Sequence, residues 1–200
     1  THEPVEQEAQ IRLMEKLKNH KGHNSTLVLR PADAKETTEA WALAMANTAT
    51  PTALILSRQN IADLPEGNDY SQAAKGAYIV AGSDKNPDVI LVASGSEVST
   101  LVAGAGLLRK DGVKCSIVSV PSEGLFRSQC TCYQEEVLPA GVKKFGLTAG
   151  LPVNLQGLVP AHEGKVWGLE SFGFSAPYKV LDEKLGFTAE NVYNQVKAML

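Results

Sequence analysis

Residues 25–60 read STLVLRPADAKETTEAWALAMANTATPTALILSRQN. Two short aliphatic runs, STLVLR at 25–30 and TALILS at 52–57, bracket a longer segment with helical spacing. Continuous apolar runs of this length, set off by Pro31 and Pro51, read as buried strands. Between them Asp33 is placed to cap a helix over AKETTEAWALAMA, with Thr37, Ala40, Trp41 and Ala44 on one face. Strand, helix and strand joined by short connections imply two parallel strands with a right-handed crossover. This is half of a doubly wound sheet.

Working outward, Val5, Ala9, Ile11, Met14 and Leu17 recur at helical steps among Glu, Gln and Lys, with Pro4 in the first turn. This predicts an amphipathic helix that buries those apolar positions. Downstream, RQNIADLPEGNDYSQAAK at 58–75 has no periodicity and carries Pro65, Gly67, Asn68 and Asp69, so it reads as a connection between units. A second unit starts at Gly76. GAYIVAG and DVILVAS are strands, joined by SDKNP in an expected hairpin. Ser94 and Glu97 form a capping-box pattern ahead of a helix carrying Val98, Leu101, Val102, Ala105 and Leu108, which stops at Gly112. KCSIVSV, KKFGLTA and GKVWGLE supply three more strands, with helical turns in SEGLFRSQ and CYQEEVL between the first two. Two helices finish the chain, one from Pro177 to Leu185 and one capped by Thr188 with Val192, Val196 and Leu200 on one side. The predicted fold is α/β: a partial doubly wound parallel sheet, then a three-layer α/β domain with a mostly parallel five-stranded sheet. The divisions fall at 1–60, a linker at 61–75, and 76–200.

Composition narrows the function classes. The 200 residues are 44% hydrophobic and 20% charged, which excludes wholesale disorder and collagen-like or low-complexity chains. Nineteen basic against 22 acidic residues give a net charge of −3, with no basic excess to neutralise nucleic acid. No apolar run reaches the roughly 18–20 residues of a membrane span, and no signal-peptide pattern is present. A cytoplasmic protein with no nucleic-acid or membrane partner is expected. Cys115, Cys130 and Cys132 are an odd, sparse set and are expected to be reduced thiols. His20 and His23 read as a solvated loop rather than a metal site. The chain opens on Thr1 with a helix pattern three residues on, so upstream sequence is expected.

No self-contained active-site motif is visible. There is no dinucleotide or phosphate-loop glycine pattern and no nucleophile elbow. ASGSE at 93–97 sits where a strand passes into a helix and its amides can hold an anion, although an ordinary capped helix start is the plainer reading. Arg58 follows the TALILS strand at its carboxyl end, where ligands gather in open α/β sheets. Its guanidinium suits a phosphate, and equally a surface salt bridge. His2, beside Glu3 and Glu6, either serves a polar site or is an exposed terminal histidine.

Several blocks resemble the transketolase family. THEPVEQ at 1–7 is similar to the family's Thr-His-Gln-Pro-Val-Glu-Gln stretch, LVLRPADAKETTEAW to its continuation, and PTALILSRQN to a further block. DVILVASGSEV, VSVPSEGLF, VLPAGVKK and ESFGFSAPYKVLDEKLGFTAENV resemble successive blocks of the family's C-terminal domain, in order. A related thiamine enzyme such as a deoxyxylulose-phosphate synthase or a dehydrogenase subunit is not expected to share the SRQN and SFGFSAP blocks.

The resemblance implies the end of a pyrimidine-binding domain followed by a C-terminal domain, within a parent enzyme that is a homodimer. It implies transfer of a two-carbon ketol unit from a ketose phosphate to an aldose phosphate in the pentose phosphate pathway, using thiamine diphosphate and Mg. His2 falls on a family histidine that hydrogen-bonds sugar oxygens, and Arg58 on an arginine that binds the terminal sugar phosphate. No catalytic, cofactor-binding or metal-binding residue is carried over. The family's Gly-Asp-Gly motif and activating glutamate are not in these residues, so the 200-residue chain is expected to be inactive by itself and not to bind the cofactor. Two departures stand out: Glu3 where Gln is usual, and LTAGLPVNLQGLVPAHEGKV where many relatives have an aromatic Gly-Trp segment. A non-catalytic regulatory or dimerisation module of a thiamine-diphosphate enzyme is the alternative.

Overall fold

A computed structural model describes residues 5–200. Helix α1 (Gln7–Lys16) leads into strand β1 (Leu27–Leu29), helix α2 (Ala34–Ala46) and strand β2 (Thr52–Leu54). The two strands pair in parallel with Leu27 opposite Thr52. Asp33 caps α2 as its sequence position suggests, accepting from the Glu36 N–H at 2.7 Å. A 3-10 helix at Tyr70–Lys75 ends on Gly76, whose φ of 88° suits only glycine. A side chain on Gly76 would also run into the backbone of Ser122 and Phe126.

The second unit runs β3 (Tyr78–Ile79), β4 (Val89–Ala93), α3 (Glu97–Lys110), β5 (Cys115–Ser119), α4 (Glu123–Arg127), α5 (Thr131–Val137), β6 (Lys143–Leu147), α6 (Val153–Gln156), β7 (Gly164–Trp167), α7 (Tyr178–Leu185) and α8 (Ala189–Lys197). Its sheet has the order β3-β5-β4-β6-β7, parallel except at β3. Leu91, Ile117, Phe145 and Leu147 meet α3 and α8 on one face. Ile90, Val92 and Val118 meet Phe126, Val137 and Leu155 on the other. This is the three-layer α/β unit expected.

The expected hairpin does not form. β3 pairs antiparallel with β5, Tyr78 opposite Ser119, while β4 lies between β5 and β6. Every residue of β4 is buried, so this strand belongs at the centre, and both its edges are taken by parallel neighbours. Asp84, in the presumed turn, instead accepts from the Cys115 N–H and from Arg109 Nε, each at 2.8 Å, and its carboxyl is held below the usual range chiefly by the Arg109 bond. The Ser94–Glu97 capping box is also absent: Ser96 precedes α3, with no side-chain cap, and Ser94 and Glu97 are engaged elsewhere.

One helix buries a different face from the one its apolar residues mark, and a second buries only part of the marked face. In α1 the buried side chains are Arg12 and Glu15, while Leu13 and Leu17 beside it are 61% and 63% exposed. In α2 Glu36 and Ala40 are buried and Trp41 is 52% exposed. In α8, Val192 and Val196 are buried as expected, but Leu200 is exposed. Cys130 and Cys132 form a disulfide rather than two thiols, and only Cys115 is free. Burial raises the Cys115 thiol to about 11.

Candidate functional site

The carboxyl ends of β1, β2, β4 and β6 open toward one region, because all four strands run parallel within their sheets and the first unit packs over the second. In the larger sheet the chain passes from β4 to β5 on one side and returns to β6 on the other, which makes β4/β6 a topological switch point. Such a crevice ordinarily receives a ligand. Here α1 occupies it. The Leu151 N–H, in the loop after β6, donates to the Val5 carbonyl at 3.2 Å. Arg12 reaches Ser94 Oγ at 3.0 Å and the Asn154 carbonyl at 3.4 Å, and pairs with Glu8 at 2.9 Å and Glu123 at 3.8 Å.

Arg30, one residue past β1, completes this buried polar cluster. Its guanidinium donates to the Ser94 carbonyl, to Ser94 Oγ at 3.2 Å and to Glu97 Oε2 at 2.5 Å, with Glu8 at 3.5 Å. Burial alone would lower its proton affinity, but Glu97 and Glu8 outweigh it and hold the group firmly charged. Gly95 has φ of 65°, and a Cβ there would meet the Arg30 guanidinium at 2.6 Å. The ASGSE turn is therefore packed under an arginine of the same chain. One turn on along the same face of α1, Glu15 accepts from the Val28 N–H and from Ser122 Oγ, both at 3.3 Å, and from the Gly124 N–H at 3.1 Å. Burial still raises its proton affinity overall.

A second network ties α2 to the connection and to β3 and β5. Glu36 accepts from Tyr78 Oη at 2.7 Å, Ser119 Oγ at 2.8 Å and the Ala32 N–H at 2.5 Å. Asp33 accepts from Tyr70 Oη at 2.6 Å and from the Leu64 N–H at 2.9 Å. The 58–75 stretch, aperiodic in sequence, is thus anchored at Leu64, Asn68 and Tyr70.

Beside the Arg30 cluster lies an open groove of about 900 Å³, lined by Arg30, Arg58, Ser96, Thr100, Tyr178 and Asp182 among others. Arg58 is exposed, four residues past the last residue of β2, and enters none of the ion pairs among the described residues. Arg30 on the same wall is saturated by carboxylates. Burial, then the neighbouring Glu97, raises the Asp182 carboxyl. His2 and Glu3 lie outside the described residues. Arg12, Arg30 and Glu36 were not singled out in the sequence, although Arg30 stands at a strand's carboxyl end just as Arg58 does. Among the described residues no group of three His, Cys, Asp or Glu side chains is placed to hold a metal ion. His23 borders a separate cavity of about 500 Å³ and its carbonyl accepts from the Asn19 N–H at 2.8 Å.

The family model for the transketolase-like C-terminal domain matches residues 76–188, and that for the transketolase pyrimidine-binding domain matches residues 1–63. The chain belongs to the transketolase family. A transketolase of Bacillus subtilis is 41% identical over 204 residues, which cover 100% of this chain and 29% of that protein. The solved transketolase of Leishmania mexicana superposes with a TM-score of 0.84 at 36% identity, covering 96% of this chain and 26% of that one. A Pichia stipitis transketolase in complex with sedoheptulose-7-phosphate gives a TM-score of 0.83 at 31% identity, over 97% of this chain and 27% of that chain. The chain thus spans under a third of the length of these transketolases.

Proposed function

We propose that the protein containing this chain transfers a two-carbon ketol unit between a ketose phosphate and an aldose phosphate, in the pentose phosphate pathway of the cytoplasm, as a homodimer. The observation that carries the reading is Arg58: an exposed guanidinium, outside the ion pairs among the described residues, on a groove at the carboxyl ends of parallel strands. Arg30 is unsuited to the same task, because Glu97 and Glu8 already occupy its donors. In this reading Arg58 grips the terminal phosphate of the sugar with paired N–H donors, and His2 hydrogen-bonds the sugar oxygens. Thiamine diphosphate with Mg supplies the carbanion chemistry when bound. Its binding falls to parts of the parent outside these residues, so the 200-residue chain alone is inactive. The related Pichia stipitis enzyme with a bound sugar phosphate supports the substrate class.

Arg58→Ala in the full-length enzyme tests this. Hydrogen bonds to charged groups are worth roughly 1.5–3 kcal/mol, so phosphorylated substrates should weaken by about one to two orders of magnitude. The loss should fall mainly on KM, because the phosphate is remote from the reacting carbons. Arg58→Lys should rescue only part, since an ammonium lacks the planar fork. An unphosphorylated acceptor should hardly respond; equal losses with both kinds of acceptor would make Arg58 a structural residue.

A further inference from the structure

Cys130 at the N-cap of α5 and Cys132 in its first turn lie on the surface, remote in sequence from Arg58 and His2, and both residues are exposed. They are bonded to each other across one intervening residue, with a Cα–Cα distance of 5.3 Å. A disulfide stabilises a fold mainly by closing a loop of the unfolded chain, and the gain grows with loop length. A bridge around Thr131 alone closes nearly the shortest loop possible, so its contribution to stability is small. The fold here does not lean on it: the adjoining helix is held by Tyr133, whose hydroxyl donates to the Ala77 carbonyl at 2.8 Å and whose ring meets Phe126 edge-on. What the bridge does have is access. Exposed disulfides are the labile ones, because an incoming thiolate must reach a sulfur along the S–S axis.

We propose that Cys130 and Cys132 form a thiol–disulfide exchange site whose partner is a small dithiol or disulfide. In the reducing direction a thiolate of the partner attacks one cysteine sulfur, breaking the Cys130–Cys132 bond and forming a mixed disulfide. The released cysteine thiolate takes up a proton. The partner's second thiol then attacks the mixed disulfide, frees the other cysteine and leaves as an oxidised disulfide, so the protein gains two electrons and two protons. In the oxidising direction one cysteine, as its thiolate, attacks a small disulfide, forming a mixed disulfide and expelling half of the reagent as a thiol. The other cysteine, two residues away, then attacks the mixed disulfide and expels the second half as a thiol, and the two expelled thiols carry away the two cysteine protons. Cys115 takes no part, being fully buried.

The test is mass spectrometry of the purified protein, since Arg127 and Lys143 release both cysteines in one tryptic peptide, residues 128–143. After equilibration with oxidised glutathione, native alkylation should leave this peptide unlabelled and two hydrogens lighter than the dithiol. After dithiothreitol under native conditions, both cysteines should alkylate while Cys115 does not. In Cys132→Ser the same oxidant should leave a glutathione adduct on Cys130, because no neighbour remains to expel it. Two glutathione adducts on the native peptide, or two alkylated thiols after the oxidant, would show that the pair does not close. Resistance to native dithiothreitol would show a bridge that does not exchange. Either result overturns the proposal, and neither bears on the sugar-phosphate reading.

Discussion

Arg30 and Glu36 illustrate two ways of burying a charge. Arg30 is matched by Glu97 and Glu8, so removing it leaves the buried Glu97 without its cation, while Glu8 keeps Arg12. Breaking one side of a buried pair costs about 3–5 kcal/mol. Arg30→Ala should therefore lower stability to urea by that order, and Arg30→Ala with Glu97→Ala should cost clearly less than the two single losses added. Strict additivity would mean the contact carries no coupling. Glu36 has no arginine. Burial, set against the bonds from Tyr78, Ser119 and Ala32, raises its carboxyl above the ordinary 4.5. Above 4.5 and up to the folded value, the native state binds more protons than the unfolded chain. The stabilisation is thus fully present below the ordinary value and is lost as pH rises through the folded one. Urea midpoints should fall from pH 5 to pH 8 more steeply for the native protein than for Glu36→Gln; parallel slopes would remove Glu36 as the cause. Neither role could be read from residue type, since Glu and Arg in a helical pattern ordinarily face solvent. The position of Arg58 beyond a strand's carboxyl end was legible, because it follows from the alternation of strand and helix alone.

Helices and strands were easier to locate than to orient. The Asp33 cap and the span of α2 came directly from local chemistry, because capping and propensity act within a few residues. The face of α1 did not, because its partner is a polar crevice and not an apolar core. SDKNP forms no hairpin for another non-local reason: both edges of β4 are taken by strands that come later in the chain. The structure therefore inverts the usual expectation for α1. In this chain Leu13→Ser and Leu17→Ser should each change stability by less than about 0.5 kcal/mol, as exposed substitutions do. Arg12→Ala, which empties a buried position and removes the shorter ion pair of Glu8 and the bond to Ser94, should cost several times more. Chemical denaturation of the three variants decides it, and a Leu13→Ser loss equal to that of Arg12→Ala would restore the apolar face as the buried one.

At the level of the whole molecule the two sheets differ in what surrounds them. The five-stranded sheet is covered on both faces, whereas β1 and β2 have three residues each and pair only with one another among the described residues. Residues 76–200 are expected to fold by themselves and residues 1–60 to be the less stable part. Amide exchange should show β4 and β5 protected longer than residues 26–57; the reverse order would sink the idea. The connection between them, meanwhile, is not what keeps them together. Arg30 donates its N–H to the Pro121 carbonyl at 2.8 Å and accepts from the Gly95 N–H at 3.1 Å, and Glu36 takes Tyr78 at 2.7 Å. A protease that nicks the exposed Glu66–Gly67 bond would therefore yield two polypeptides that still travel as one particle on a sizing column. Expressed as separate chains, 1–66 and 67–200 would find each other in trans, the Arg30 guanidinium of one half being the counterion that Glu97 of the other lacks.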